Sequence, residues 1–542
     1  MAGPNVADTI IEYLVSQKVR HVFGVLAHTL FPIGDAIARR PEIKFINAQH
    51  EGGAGNMALG YARATKKPAV CLVSAGGGAT NIVTAVAQAH KESVPLFVIS
   101  SDIDTAAAAK GAFSSFHGME HVRLFQPITK QSAKLERVEE IGAQLDSLFR
   151  QTTRGRKGPV FFIVPEDFQH AALPEPVSFT PTADPAAPAM DARAAEAAVD
   201  LLLQAQTPVV LAGTGVDWAG AREEVRELAE LLSLPVAVSY TAKGVFPENH
   251  PLALGCLGFG SRPYARKFFQ QADLILALGA TFSEGTTMRF GHEIIPDKAK
   301  IVQIDTDPDE LGRNYPTFLS IQADARIAVR AIIDAVKRRQ PKEPADGRAR
   351  AQAIQQARQA WKAELEQRTA KGGLTYESVM KALNQLLSGK EILTTAGMTG
   401  DTLRGIDAQA PIIHAGEFRA IGTALATAYG VKIGRPEARV ICVTGDGSFM
   451  MEQQELATGR YHNIPVMVLI LRNNAYGGMK RDQQKSYGGR IIGTELFIPD
   501  LAKLAELYGA KGYSVTKQEQ LAPVFKETLG KDEFSIVDVK LD

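Results

Sequence analysis

The stretch Val443–Phe449, VTGDGSF, closes an apolar run, and after a helix-like segment Val466–Gly478, VMVLILRNNAYGG, closes another. Both have the same form: uninterrupted apolar and β-branched residues, then Gly, Asp or Asn. A run without polar alternation suits a strand buried on both faces, and such strands belong to parallel sheets covered by helices on each side. The pattern recurs in PAVCLVS, PLFVIS, PVFFIV, PVVLAG, DLILALG, KIVQID and FSIVDV, with amphipathic helical stretches between. Strand–helix alternation of this kind predicts an α/β protein made of doubly wound parallel sheets.

A chain of 542 residues is too long for one core. Two composition shifts divide it. Pro174–Ala194, PEPVSFTPTADPAAPAMDARA, reads as a linker entering a helix; Lys337–Gln352, KRRQPKEPADGRARAQ, is charged and continues into a polar helix reaching about Arg368. Three doubly wound segments result, 1–175, 190–338 and 370–542. The first and third share strands followed by Gly-rich turns, which permits a duplicated architecture. The middle one, with VVLAGTGVDWAG and AKIVQIDTDPDELG, resembles a nucleotide-binding half-fold, although Gly213, Gly215 and Gly220 miss the dinucleotide spacing.

A formal charge of +1 with no basic run leaves no electrostatic footprint for nucleic acid or an anionic membrane. The N-terminal residues lack the basic-then-apolar order of a signal peptide, and no apolar run is long enough to span a bilayer. Cys71, Cys256 and Cys442 share no ligand spacing and read as buried thiols, so a cytoplasmic location is expected.

Mg²⁺ takes octahedral oxygen ligation and keeps phosphate oxygens and water beside one or two protein side chains. Asp446 and Asn473 stand 27 positions apart at the ends of two adjacent buried strands. One carboxylate and one neutral amide leave charge for a diphosphate to balance, with a backbone carbonyl near Ala475 as a third protein ligand. Gly447 and Ser448 can turn N–H groups towards phosphate, and Gly445, Gly447, Gly477 and Gly478 allow close approach. The plain alternative is an Asx turn at each strand end.

GDGSF, a helix, then LRNNAYGG resembles the diphosphate-binding motif of thiamine-diphosphate-dependent enzymes. Far upstream, Phe45–Ser100 resembles the pyrimidine-binding domain of the acetolactate synthase-like branch, with Glu51 of HEGGAG at the family's catalytic glutamate position. The resemblance implies a pyrimidine-binding domain (1–175), a central Rossmann-like domain (190–338) and a diphosphate- and Mg²⁺-binding domain (370–542). The chemistry needs that carboxylate. A glutamate bonded to the pyrimidine N1′ favours the 4′-imino form, which removes the thiazolium C2 proton, and in a dry site the bond is strong. Small residues beside Glu51 are expected to admit a flat ring; a surface glutamate opening a helix is the bland reading.

By the same resemblance, HAGEFRAIGTALATAYG carries Ile421 as the wedge between the coenzyme's rings. Arg419 occupies a position where the family commonly has glycine and whose carbonyl accepts the N4′ amine; its side chain either reaches an anionic substrate group or points elsewhere. TTAGMTGDTL offers Gly397, Met398 and Thr399 to the diphosphate, and Tyr476, Gly477 and Gly478 approach from the other side, with Met479 and Lys480 as pocket-lining candidates.

The substrate side is less determined. GAFSSFHGMEHVRLFQPITK matches a loop that carries a Phe-Gln pair in acetolactate synthases, here Phe116–His117. His117 and His28, in FGVLAHTLFPIGD, are the expected catalytic polar groups over the coenzyme, since an imidazole can pass protons near neutral pH. The tail after Asn473 is similar to benzaldehyde lyase as well as to acetolactate synthase. ATFSEGTTMRFG stands where acetolactate synthases have an RFDDR-like segment, which argues against FAD; Asp305 and Asp307 could meet a ribose, as in relatives that bind ADP. An empty central domain is the expectation.

The resemblance implies a lyase or carboligase using thiamine diphosphate and Mg²⁺, which forms a C2 carbanion–enamine from a 2-oxo acid or 2-hydroxy carbonyl donor. A simple decarboxylase of benzoylformate type is one alternative, and a non-catalytic nucleotide-binding regulator is another. It also implies a homodimer or homotetramer with active sites between subunits.

Overall fold

Each apolar run quoted above becomes a strand. The computed structural model describes residues 4–542 apart from 112–113, 174, 176, 180–187, 341–346, 371 and 398. Among these, the N-terminal sheet holds β1 (His21–Gly24), β2 (Lys44–Asn47), β3 (Ala69–Val73), β4 (Leu96–Asp102), β5 (Gln131–Lys134) and β6 (Pro159–Pro165). The central sheet holds β7 (Pro208–Ala212), β8 (Val236–Val238), β9 (Ala253–Cys256), β10 (Leu274–Leu278), β11 (Lys300–Asp305) and β12 (Leu319–Gln322). The C-terminal sheet holds β13 (Glu391–Ala396), β14 (Ile412–His414), β15 (Arg439–Gly445), β16 (Met467–Arg472), β17 (Lys511–Val515) and β18 (Ser535–Lys540).

Every pairing in the three sheets is parallel. Helices therefore cover both faces, and β3, β4, β6, β7 and β10 are buried along their whole length while the edge strands β2, β5, β12 and β17 are partly exposed. This is the physical reason the interior strands read as unbroken apolar runs.

The orders are β2-β1-β3-β4-β6-β5, β12-β11-β10-β7-β8-β9 and β14-β13-β15-β16-β18-β17. Numbered within each sheet, the first and third are both 2-1-3-4-6-5, so the duplication that the sequence permitted is present in the topology. The central sheet has the dinucleotide-binding order 3-2-1-4-5-6. Two of its glycines serve packing: a Cβ on Gly213 or Gly215 would collide with the Gly279 backbone at the end of β10.

The domains carrying Glu51 and Asp446 are locked together by two helices, Glu51–Thr65 and Ala424–Gly434. They cross backbone to backbone: a Cβ on Gly60 would strike the Thr427 carbonyl, and one on Gly430 the Met57 carbonyl. Overpacking there would cost about 1–3 kcal/mol per site. The central and C-terminal domains share a buried charge network. Lys243 pairs with Glu248, and Arg262 Nη2 lies 3.4 Å from Glu248 and 2.7 Å from Asp407. The expected polar helix after the second linker runs Gly347–Thr369. Among the described residues no helix is long and apolar enough to cross a membrane, and the three cysteines are free and buried.

Candidate active site

Glu51 is the first residue of its helix, and His50 is the cap: its Nδ1 accepts from Gly52 N at 3.0 Å. The Glu51 side chain is folded inward, with the residue 9% exposed. Its Oε2 accepts from Asn81 Nδ2 at 2.9 Å, and Oε1 lies 3.0 Å from where a Gly78 Cβ would stand. Gly78 is thus the glycine that makes room for the carboxylate. The expectation that the small residues following Glu51 admit a ring is corrected at two of them. A Cβ on Gly53 would meet the Glu455 carboxylate and one on Gly55 the Ala85 methyl, so both are spent on packing.

The loop bearing Gly78 gathers the two predicted histidines. Ala75 N donates to Ser101 Oγ at 2.9 Å, and Ser101 Oγ is bonded to Thr29 Oγ1 at 2.7 Å, immediately after His28. His117 packs on Gly76, its Cα 2.8 Å from the position of a Gly76 Cβ. Both imidazoles are exposed; His28 lies edge-on to Phe31 at 4.9 Å between centroids, and His117 has φ +63°.

Sequence reasoning missed Asn81 and His121. His121 is buried, and its Nε2 accepts from Gly76 N at 2.9 Å, so the proton sits on Nδ1, 3.5 Å from Asp102 Oδ1. Burial lowers its pKa and favours the neutral ring that this bond requires. Asp102 is in turn paired with Lys134 at 2.8 Å. Neither residue carries a periodic or spacing signal; each matters because tertiary structure brings it to the Gly76–Gly78 loop.

The second cluster lies at the carboxyl ends of β13, β15 and β16, where open parallel sheets place ligands. Asp446 is 1% exposed. Its Oδ1 accepts from Gly447 N at 2.8 Å, and its Oδ2 from Asn473 N at 3.0 Å and Asn474 N at 2.6 Å. One carboxylate therefore ties the ends of β15 and β16 together. Asn473 Oδ1 accepts from Ala475 N at 3.2 Å, so the predicted Asx turn and the predicted ligand are the same residue. Burial, opposed by the three N–H bonds, raises the Asp446 pKa above the ordinary carboxylate range.

Around this pair, Ser448 Oγ accepts from Gly422 N at 2.9 Å, which fixes the turn carrying half-buried Ile421. Gly397, at φ +82°, faces Ser448; a Cβ on Gly397 would stand 3.4 Å from Ser448 Cβ. Tyr476 packs its ring on Gly447, Gly477 abuts the Asn473 amide, and Gly478 faces open space. Thr399 opens the helix Thr399–Gly405, and Met398 lies outside the described residues. Met479 is exposed, and Lys480 is engaged by Glu495 at 2.9 Å.

Among the described residues no group of three or more His, Cys, Asp or Glu side chains is placed to hold a metal. The donor set at Asp446 and Asn473 fits Mg²⁺ nonetheless, because that ion draws most of its ligands from phosphate and water.

Arg419 has φ +57°, a left-handed conformation that costs a side-chain-bearing residue about 1 kcal/mol. Its guanidinium stacks 4.5 Å from the centre of the Phe259 ring and 5.9 Å from that of Tyr240, both in the central domain.

A cleft opens at the switch between β7 and β10, lined by Gly215, Trp218, Gly279 and Asp305 and by Arg156 and Lys157 of the N-terminal domain. Burial pushes the Asp305 carboxyl up to about 6. Asp307 is used locally, its Oδ1 accepting from Asp309 N at 3.1 Å. In the segment that stands in place of the flavin motif, Ser283 Oγ and Gly285 N donate to Glu417 at 2.6 and 3.0 Å. That segment therefore grips the C-terminal domain.

Comparison with known proteins accords with this geometry. Residues 4–121 match the thiamine pyrophosphate enzyme N-terminal TPP binding domain, 195–332 the central domain and 395–539 the C-terminal TPP binding domain. The chain belongs to the thiamine pyrophosphate enzymes. Among its relatives, the probable acetolactate synthase large subunit of Methanococcus aeolicus is 31% identical, over 99% of this chain and 92% of that one. The acetolactate synthase isozyme 3 large subunit of Escherichia coli is also 31% identical, over 99% and 94%. As a thiamine pyrophosphate enzyme it has one TPP-binding domain around Glu51 and the other around Asp446, and its coenzyme is thiamine diphosphate.

Proposed function

We propose that the protein is a Mg²⁺-dependent carboligase or lyase that acts on a 2-oxo acid or 2-hydroxy carbonyl donor. The observation that carries this is the pairing of an inward-facing Glu51, with Gly78 leaving space beside it, and the Asp446–Asn473 pair that joins two strand ends. Kinship with acetolactate synthases supports carbon–carbon bond formation.

In this reading residues 1–175 hold the pyrimidine, 190–338 form the central domain and 370–542 hold the diphosphate. Thiamine diphosphate, when bound, would supply a nucleophilic carbon for the donor carbonyl and an electron sink for the pair left by the carbon–carbon bond that breaks. Glu51 holds a proton at N1′ and so favours the 4′-imino form. Asp446, Asn473 and the Ala475 carbonyl hold Mg²⁺, and Gly397, Met398, Thr399, Gly447, Ser448, Tyr476, Gly477 and Gly478 surround the diphosphate. Ile421 would stand between the two rings of the bound coenzyme, and the Arg419 carbonyl would accept from its 4′-amino group. His28 and His117, exposed around the loop that faces Glu51, pass protons to and from the substrate oxygen. The central domain carries no nucleotide in this reading, and the catalytic unit is a cytoplasmic homodimer or homotetramer with sites between subunits.

The test is a panel of 2-oxo acids, 2-hydroxy ketones and aldehydes given to the purified holoenzyme. The expected result is a new 2-hydroxy ketone, or its cleavage, that needs both thiamine diphosphate and Mg²⁺. Release of CO₂ and free aldehyde alone would replace this reading with a decarboxylase of benzoylformate type. Nucleotide binding without turnover of any donor would make the protein a regulator.

A further inference from the structure

We propose that Arg419 is a specificity-determining residue that receives the carboxylate of the acceptor, so that the enzyme joins its donor unit to an anionic 2-oxo acid in preference to a neutral aldehyde. The proposal depends on the carboligase reading above.

Three observations lead to it. First, the backbone at Arg419 is left-handed, a conformation glycine would adopt without strain, yet the chain keeps a long cationic side chain there. Second, the guanidinium lies over the Phe259 ring at 4.5 Å and the Tyr240 ring at 5.9 Å, and the residue is exposed. Among the described residues no carboxylate pairs with it. Glu417, two positions away, is already occupied by Ser283 and Gly285. Third, Arg419 belongs to the turn that is bonded to the Asp446 cluster. Arg419 lies two residues before Ile421, and Gly422 is bonded to Ser448 beside Asp446. On its other side the Phe259 carbonyl accepts from Arg404 Nη2 at 3.0 Å, in the helix that Thr399 opens.

The chemistry selects the acceptor over the donor. A 2-oxo acid donor loses its carboxylate as CO₂, and its bonding electrons stay with the retained unit. A guanidinium on that carboxylate would stabilise the ground state more than the transition state and slow the step. The acceptor keeps its carboxylate in the product, so a bidentate arginine binds it throughout.

The test uses holoenzyme, one saturating donor and two acceptors: a 2-oxo acid, and the 2,3-diketone in which acetyl replaces its carboxylate. In Arg419→Met the ratio of kcat/KM for acid over diketone should fall about tenfold or more, through KM for the acid, as expected for losing hydrogen bonds to a charged group. Arg419→Lys should fall between. In parallel, calorimetry with the unreactive mimic oxamate should show Kd rising about tenfold in Arg419→Met and less in Arg419→Lys. An unchanged ratio and unchanged oxamate affinity in both variants would overturn the proposal. If the unaltered enzyme ligates no pair of substrates, the carboligase reading fails instead, and the oxamate arm still reports on the arginine.

Discussion

Glu51→Gln is expected to turn over its substrates about 10²–10⁴-fold more slowly than the unaltered enzyme while binding thiamine diphosphate with similar affinity. The two ends of the site explain the split. In the proposed assignment affinity resides at the carboxyl ends of β13, β15 and β16, where Asp446 and Asn473 stand, and the substitution leaves that end untouched. Turnover depends on a carboxylate at the ring nitrogen, because only an anionic acceptor favours protonated N1′. Glutamine has nearly the same shape and can still accept from Asn81, so the bond that now holds the side chain at 2.9 Å survives in kind. What it cannot do is supply the charge, which in a water-poor setting is worth far more than in bulk solvent. Calorimetry gives the binding arm, and single-turnover kinetics with deuterium exchange at C2 gives the chemical arm. Full activity would remove Glu51 from the mechanism, whatever its position.

Asp446→Ala should have the opposite signature. Loss of the site's carboxylate is expected to weaken Mg²⁺-dependent coenzyme retention about a hundredfold or more, taking about 3 kcal/mol for an uncompensated buried charge contact and 1.4 kcal/mol per decade. The substitution also strands the N–H groups of Gly447, Asn473 and Asn474, each costing about 1 kcal/mol or more if left unpaired. Urea unfolding of the apo variant separates that cost from lost ligation, and Asp446→Asn, which keeps an acceptor but loses the charge, should retain more stability than coenzyme affinity. Undiminished affinity in Asp446→Ala would refute the clamp.

The joined strand ends at Asp446 and Asn473 were readable from sequence because two signals coincide there. Buried strands announce themselves as unbroken apolar runs, and an Asp and an Asn ending two such runs one helix apart mark two neighbouring strand ends. The setting of Glu51 was not readable in that way. Glu51 opens a helix like many surface glutamates, and only resemblance to a family marked it. Asn81, Ser101 and His121, which hold that carboxylate and its facing loop, come from other elements and carry no local pattern. The glycines beside Glu51 misled. Gly53 and Gly55 look like glycines that admit a ring, yet the space beside each is filled by another part of the chain. Sequence shows that a backbone needs close approach, and only the fold shows what approaches. The equal strand orders of the outer sheets were likewise permitted by shared turn patterns and fixed only by the pairing.

The most direct test of the account is a structure of the oligomer with thiamine diphosphate and Mg²⁺ bound. A Glu51 carboxylate within hydrogen-bonding distance of the pyrimidine N1′, in the same site where Asp446 and Asn473 ligate the cation on the diphosphate, is the predicted result. Density for the coenzyme with every Glu51 remote from its ring, or a cation held without Asp446, would contradict it.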